Sequence, residues 1–166
     1  MAKKSKKKQP ATVQSNGHKV VTTNRKAFHD YFIEDEVEAG IELVGSEIKS
    51  IRQGKVNIRD AYARIENGEL WLVGGHISPY EQAGAYFNHE PDRPRKLLVH
   101  KRQIDQLRKN QEAEGYTLVP VRLKLVRGKA KVDIGIAKGK KKYDKRQVMA
   151  ERDARRQMER ALKSRV

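Results

Sequence analysis

Residues 119–136 hold the pattern that most constrains the fold: apolar and polar side chains alternate on both sides of Arg127-Gly128. A period of two places every second side chain on one face of an extended strand, and a glycine-containing turn between two such runs closes them into a hairpin. Counted outward from the turn, Leu125 faces Ala130, Leu123 faces Val132, Val121 faces Ile134 and Val119 faces Ile136, which makes one face wholly apolar. The opposite face sets Arg122 against Asp133 and Lys124 against Lys131. Like charges directly opposite are unfavourable, so either an anion lies between the two lysines or both point into water.

A second hairpin is written in AYARIENGELWLV, with Asn67-Gly68 as its turn. Here Ile65 meets Leu70 and Ala63 meets Leu72 on a core face, while Arg64 meets Trp71 and Tyr62 meets Val73 on the other. The Arg64–Trp71 pair reads as cross-strand support for the sheet, or as a cation-π surface on which a base could stack. Upstream, Val37, Ala39, Ile41 and Leu43 alternate with Glu36, Glu38, Gly40 and Glu42, a half-buried strand that begins near Tyr31. Ser46 is the expected N-cap of a short helix, with Glu47 in its first turn, Ile48 and Ile51 inward and Gly54 as its stop.

Residues 74–94 read as a long irregular connection, Lys96 to Val99 as a short strand, and His100 to Glu114 as a helix with Ile104 and Leu107 inward. Five or six strands and two short helices predict an all-β core with short flanking helices. The architecture expected is a small antiparallel barrel of the oligonucleotide-binding type, the OB-fold. Its bounds are residues 24–139, between a disordered basic segment at 1–23 and a basic tail at 140–166.

Charge divides the chain the same way. Of the formal net charge of +16, residues 1–26 contribute eight bases and no acid, and residues 138–166 twelve bases against four acids. The stretch between holds seventeen of each and is neutral. Such tails seek a polyanion, and neither shows the broad aromatic and aliphatic face of an interfacial helix, so nucleic acid is favoured over membrane. With no cysteine there is neither disulfide nor thiolate zinc site, and a reducing cytoplasm is the expected compartment. The start, MAKKSKKKQP, has no apolar run after its lysines and reads as no secretory signal.

Catalytic patterns are weak. His18, His29, His76, His89 and His100 are scattered without metal-ligand spacing, and neither a P-loop nor a GxSxG elbow occurs. The acids Glu34, Asp35, Glu36, Glu38 and Glu42 could hold a metal, but read better as a solvated strand edge that balances lysines. The expectation is an RNA-binding protein with no enzymatic activity, no cofactor and no small-molecule substrate; a nuclease is the rival from another class.

The runs NRKAFHDYFIEDEVEAGIELVGSEIKSIRQGKVNIRDAYARIENGELWL, HISPY, RPRKLLVHKRQI, EGYTLVP and KVDIGIAKGKKKYDKR, in this order and followed by a basic tail, resemble the SsrA-binding protein (SmpB) family of bacteria. The resemblance implies an OB-fold that binds the tRNA-like domain of transfer-messenger RNA. On a stalled ribosome the protein would stand in for the anticodon arm beside small-subunit RNA, so that the nascent chain is tagged and the ribosome released.

Carried over by position, the residues facing transfer-messenger RNA would be Asn24, Glu38 and Leu98, with Lys96 beside the last. A carboxylate can accept hydrogen bonds from a guanine edge or ribose hydroxyl, and a leucine can pack on an unstacked base. Phosphate contacts are expected from Lys124, Lys131, Lys138 and Lys140. Gly139, Tyr143, Asp144, Lys145 and Arg146 match the junction that leads the tail into the decoding centre, where some family members carry histidine in place of Tyr143.

Beyond the junction, helix-forming residues and an apolar stripe of Ala150, Ala154, Met158, Ala161 and Leu162 predict a helix. Repulsion among Arg152, Arg155, Arg156 and Arg160 predicts that it stays disordered until ribosomal phosphates meet it. The alternatives are a tail packed on the barrel and one that never orders.

Overall fold

The computed structural model describes residues 17–164. In chain order the elements are β1 (His18–Thr23), α1 (Arg25–Asp30), β2 (Tyr31–Ile41), α2 (Gly45–Arg52), β3 (Val56–Asn57), β4 (Tyr62–Glu66) and β5 (Glu69–Val73). They continue with β6 (His76–Ile77), β7 (Arg95–Leu98), α3 (Lys101–Glu114), β8 (Thr117–Val126), β9 (Lys129–Gly139) and α4 (Lys142–Ser164). Among the described residues no helix is long and apolar enough to cross a membrane.

Both turns behave as their residues require. Asn67 and Gly68 have φ of 51° and 74°, and Arg127 and Gly128 of 50° and 78°. Positive φ at both central positions is the type I′ geometry that matches strand twist. Around these turns the registers are those of the sequence pattern: Ile65 with Leu70, Arg64 with Trp71, Leu123 with Val132 and Lys124 with Lys131. The hydrogen-bonded order is β1-β8-β4-β5-β7-β2-β9, and β9 pairs back with β8. The circuit β8-β4-β5-β7-β2-β9 therefore closes on itself, with β1 outside it; β3 and β6 form a separate small sheet.

Closure depends on two bulges that the alternation does not reveal. One interrupts β8 between Pro120 and Arg122, the other β2 between Ile33 and Asp35, and each bends its strand. Beyond the first, the register slips by one. Val119 pairs with Gly135, Pro120 with Ile134 and Leu118 with Ile136, which corrects the expected Val121–Ile134 and Val119–Ile136 pairs. The consequence is a change of core. Leu118 joins the main cluster with Leu70, Leu72, Leu97, Val132 and Ile134, while Val119 packs with Ala27 and Ala137 in a second one. Gly135 lies under both bulges, where a Cβ would stand 2.7 Å from Val121 Cγ2 and 3.0 Å from Ile33 Cγ2, so the close approach admits only glycine.

Three other expectations change. His18–Thr23, expected to be disordered, is a strand paired with β8 from His18↔Val126 to Thr23↔Arg122; residues 1–16 lie outside the described residues. Its Val-Val-Thr-Thr run is β-branched and suits an edge. Ser46 is not the cap of α2. The helix starts two residues earlier, at Gly45, and Glu47 accepts the Val44 amide through Oε2 at 3.0 Å. The tail is already helical from Lys142 to Ser164, with none of its residues buried, so it neither stays unfolded nor packs on the strands.

Candidate nucleic-acid interface

Because paired residues on antiparallel strands point the same way, the registers define one continuous outer face. Lys124 on β8 lies opposite Lys131 on β9, Lys131 opposite Gly40 on β2, and Gly40 opposite Leu98 on β7. Lys96, two residues before Leu98, lies opposite Trp71, and Trp71 opposite Arg64. The arginine does not cover the indole: its guanidinium pairs with Glu66 at 3.1 Å.

The Lys124–Lys131 conflict is resolved within the chain. Glu38 stands between them, with Oε2 2.6 Å from Lys124 Nζ and Oε1 2.7 Å from Lys131 Nζ, and Asp133 takes Lys124 at 2.9 Å. Hydrogen bonds from Lys124 and then Lys131 pull the Glu38 carboxyl down to about 2. A depressed carboxylate contributes stability that is full above its unfolded value, 4.5, and is lost as the pH falls toward 2. Two other acids of β2 are engaged as well, Glu36 by Arg122 at 2.8 Å and Glu34 by the Tyr116 hydroxyl at 2.8 Å.

Replacing both lysines with alanine does not relieve repulsion; it strands Glu38 and leaves Asp133 only Arg122, at 4.0 Å. The double variant is expected to lose about 1 kcal/mol of stability, the scale of exposed and half-buried pairs. Urea unfolding checks it, and a variant as stable as the parent would show that the network adds nothing.

Beside this network, the Leu98 side chain is 53% exposed and lies over Gly40, where a Cβ would come within 3.3 Å of Leu98 Cβ. Glu38, Gly40, Leu98, His100 and Lys131 share an open groove of about 470 Å³. A leucine held in water next to a fixed carboxylate and ammonium offers an unstacked base an apolar surface and polar edges at once. Lys96 lies on the same face with its Nζ 2.8 Å from Glu69.

The remaining expected contacts lie elsewhere. Asn24 does not face outward. It is 3% exposed; Oδ1 accepts from the Ala27 amide at 3.1 Å, and Nδ2 donates to the Ile58 and Pro120 carbonyls, both at 3.0 Å. It caps α1 and ties it to the β8 bulge. Lys138 sits at the far end of β9 and Lys140 just beyond it, roughly 23 to 30 Å along the chain from Lys131. Lys140 Nζ donates to the Phe28 carbonyl at 3.1 Å and lies 4.9 Å from the Phe32 ring centroid.

That end is the root of α4. Gly139 pairs with Tyr31, the Lys140 amide bonds the Asp30 carbonyl at 2.8 Å, and Lys145 Nζ lies 3.2 Å from Asp30 Oδ1. A hydrogen bond from His29, with that from Lys145, outweighs the cost of burial and holds the Asp30 carboxyl below its ordinary value. Asp144 caps the helix by accepting the Lys141 amide at 3.1 Å. Tyr143 is 75% exposed, and Arg146, Arg152, Arg155 and Arg156 are exposed as well, with Arg155 3.7 Å from Glu159.

One cluster was missed by sequence reasoning. The Glu47 side chain is fully buried, and Arg95 is 1% exposed. Glu47 Oε1 accepts from Arg93 Nε and Arg95 Nε, each at 2.8 Å, and Oε2 from Arg93 Nη2 at 2.7 Å. Arg95 spends its other donors on the Gly75 and Pro91 carbonyls at 2.8 and 2.9 Å. This cluster docks α2 on β7 and so sets where Leu98 emerges.

Comparison with known proteins bears on the whole of this surface. A family model described as SmpB protein matches residues 21–164. The SsrA-binding protein of Roseiflexus sp. (strain RS-1) is 63% identical over 148 residues, 89% of this chain and 94% of that protein. That of Carboxydothermus hydrogenoformans is 59% identical over 147 residues, 89% of this chain and 98% of its own. Among solved structures, a chain described under "tmRNA-SmpB: a journey to the center of the bacterial ribosome" aligns with a TM-score of 0.63 at 45% identity, covering 78% of this chain and 94% of that one. A match that runs from within β1 to the last residue of α4, with relatives this close over nearly their full length, means that the chain belongs to the SmpB family.

Proposed function

We propose that the chain is an RNA-binding adaptor of trans-translation: it binds the tRNA-like domain of transfer-messenger RNA, carries it to stalled ribosomes and takes the place of the anticodon arm in the decoding centre. The observation that carries this reading is the groove in which Leu98, Glu38 and Lys131 converge. Glu38 is fixed and ionised there, able to accept from a base or ribose, and Leu98 supplies the stacking surface. Membership of the SmpB family, with relatives named SsrA-binding proteins and a solved neighbour named with tmRNA and the ribosome, supports the identity of the RNA.

On this reading the closed circuit of strands is an OB-type barrel spanning residues 24–139 with β1 added at its edge, and α4 is the ribosomal probe. Lys138 and Lys140 belong with α4 rather than with the groove. The chain holds its partners and changes no covalent bond, and its place is the cytoplasm, where ribosomes are. Sequencing the RNA that co-purifies with the protein from its own cells tests this directly. Transfer-messenger RNA should dominate with the parent and fall several-fold with Glu38→Ala, since one lost contact of 1–3 kcal/mol is about 5- to 150-fold. A pool without transfer-messenger RNA would refute the reading.

A further inference from the structure

The stretch between β6 and β7 is pinned along its length and bare at its tip. Asn88 ties it to itself: Oδ1 accepts from the Tyr80 amide at 2.9 Å and Nδ2 donates to the Tyr80 carbonyl at 2.8 Å. His89 is buried and 2.9 Å from the Ile77 carbonyl through Nε2. A carbonyl can only accept, so Nε2 donates to it, and Nδ1 lies 2.8 Å from the Ser46 hydroxyl. The Ile77 amide bonds the Pro91 carbonyl at 3.0 Å, and Glu81 pairs with Lys55 at 3.2 Å. At the tip, however, Tyr86 and Phe87 are 93% and 80% exposed, edge to face with centroids 5.7 Å apart.

Fixing such a loop costs conformational entropy, and two rings left in water forgo the stabilisation that burial would bring. Those bonds account for the order of the loop but not for the two rings left in water at its tip. The rings stand at the lip of a cleft of about 790 Å³ between the start of α2 and the loop, in the size range of small-ligand sites. Its lining includes Lys49, Tyr80 and Arg93 and no acidic side chain among the described residues. Lys49 Nζ lies 5.4 Å from the Tyr80 ring centroid. Arg93 is paired with Glu47, but that carboxylate is shared with Arg95, so the trio keeps one positive charge.

Aromatic faces beside a net positive charge complement a nucleotide, whose base stacks while its phosphate meets the ammonium or guanidinium. A wholly apolar occupant would bury Lys49 with no carboxylate in the lining to pair it, which is costly. We propose that this cleft is a second RNA site, one that takes a single unpaired nucleotide with its base on Tyr86 and Phe87 and its phosphate at Lys49 and Arg93. Unpaired bases alone fit, because in a duplex each face is covered by its neighbour. The site is separate from the Leu98 groove: Arg95, which joins the Glu47 cluster behind the cleft, and Leu98 lie at opposite ends of β7 and on opposite faces. It stands independently of the reading given above for that groove.

The test is to titrate the full chain with a fluorescent six-nucleotide oligoadenylate, near physiological salt, and to map ultraviolet cross-links. Cross-links on the peptide carrying Tyr86 and Phe87 are expected. Tyr86→Ala with Phe87→Ala should weaken binding about tenfold or more, and Lys49→Gln should weaken it and flatten the logarithmic salt slope by about 0.7. The ring positions are exposed, so the melting temperature should not move. Unaltered oligoadenylate affinity in the double ring variant, cross-links confined to the Leu98 groove, or sedimentation showing the rings buried against a second copy would each overturn the proposal.

Discussion

A chain that ends at Tyr143 is expected to leave stalled ribosomes untagged, with peptide tagging at background, while it still binds transfer-messenger RNA within about tenfold of the full protein, roughly 1.4 kcal/mol. The argument is one of attachment. None of the residues of α4 is buried, so its removal opens no cavity and uncovers no core. The bonds that finish β9 remain, including Lys140 to the Asp30 and Phe28 carbonyls. What goes is the Lys145–Asp30 pair and the Asp144 cap, contacts on the scale of 1 kcal/mol or less. The groove at Glu38 and Leu98 lies at the other end of β9 and β2 and does not sense the cut. Tagging on stalled ribosomes and binding of the tRNA-like domain are measured on the same preparation; loss of both, or of neither, counts against α4 as the ribosomal probe.

Glu47→Ala is expected to have the largest effect on stability, a loss of about 3–5 kcal/mol, because it leaves the buried Arg95 guanidinium without its counter-charge. Against a typical total of about 5–15 kcal/mol, that brings the chain near the unfolding threshold. Burial alone would raise the Glu47 carboxyl, but the Arg93 side chain, the Val44 amide and Arg95 outweigh it and hold the group below its ordinary 4.5. The stabilisation is therefore complete above that value and drains away as acid drives the pH through the lower folded one. Urea midpoints taken from neutral to acid pH should fall steeply in the parent and less in the variant. A loss below about 1 kcal/mol at neutral pH would mean that Arg95 finds water or another acid.

Local pattern was legible and long-range economy was not. The registers near both turns followed from alternation, since a fixed turn type leaves no freedom over the next few residues. The slip in β8 could have been read from Pro120, which has no amide to give a ladder and so marks a bulge inside a strand. β1 was hidden by the lysine-rich stretch before it, although Val20, Val21, Thr22 and Thr23 are strand formers. Nothing local could have buried Asn24, because the carbonyls that take its side chain come from residues 34 and 96 positions away. Glu47 likewise looked like an ordinary first-turn acid, and only folding brings the two arginines of Arg93-Pro94-Arg95 to it.

The neutrality of the Glu38–Lys124–Lys131–Asp133 network has a kinetic meaning. A face whose charges are spent on one another exerts little pull at a distance, so it cannot hasten encounters with RNA, whereas the bases outside the core can. Arrival should then be governed by the ends of the chain and slow as salt rises, for any RNA that drifts past. Departure should be governed by fit at the groove and depend little on salt. A protein divided in this way samples many RNAs briefly and dwells on the few whose shape matches, which is selection by residence time rather than by attraction.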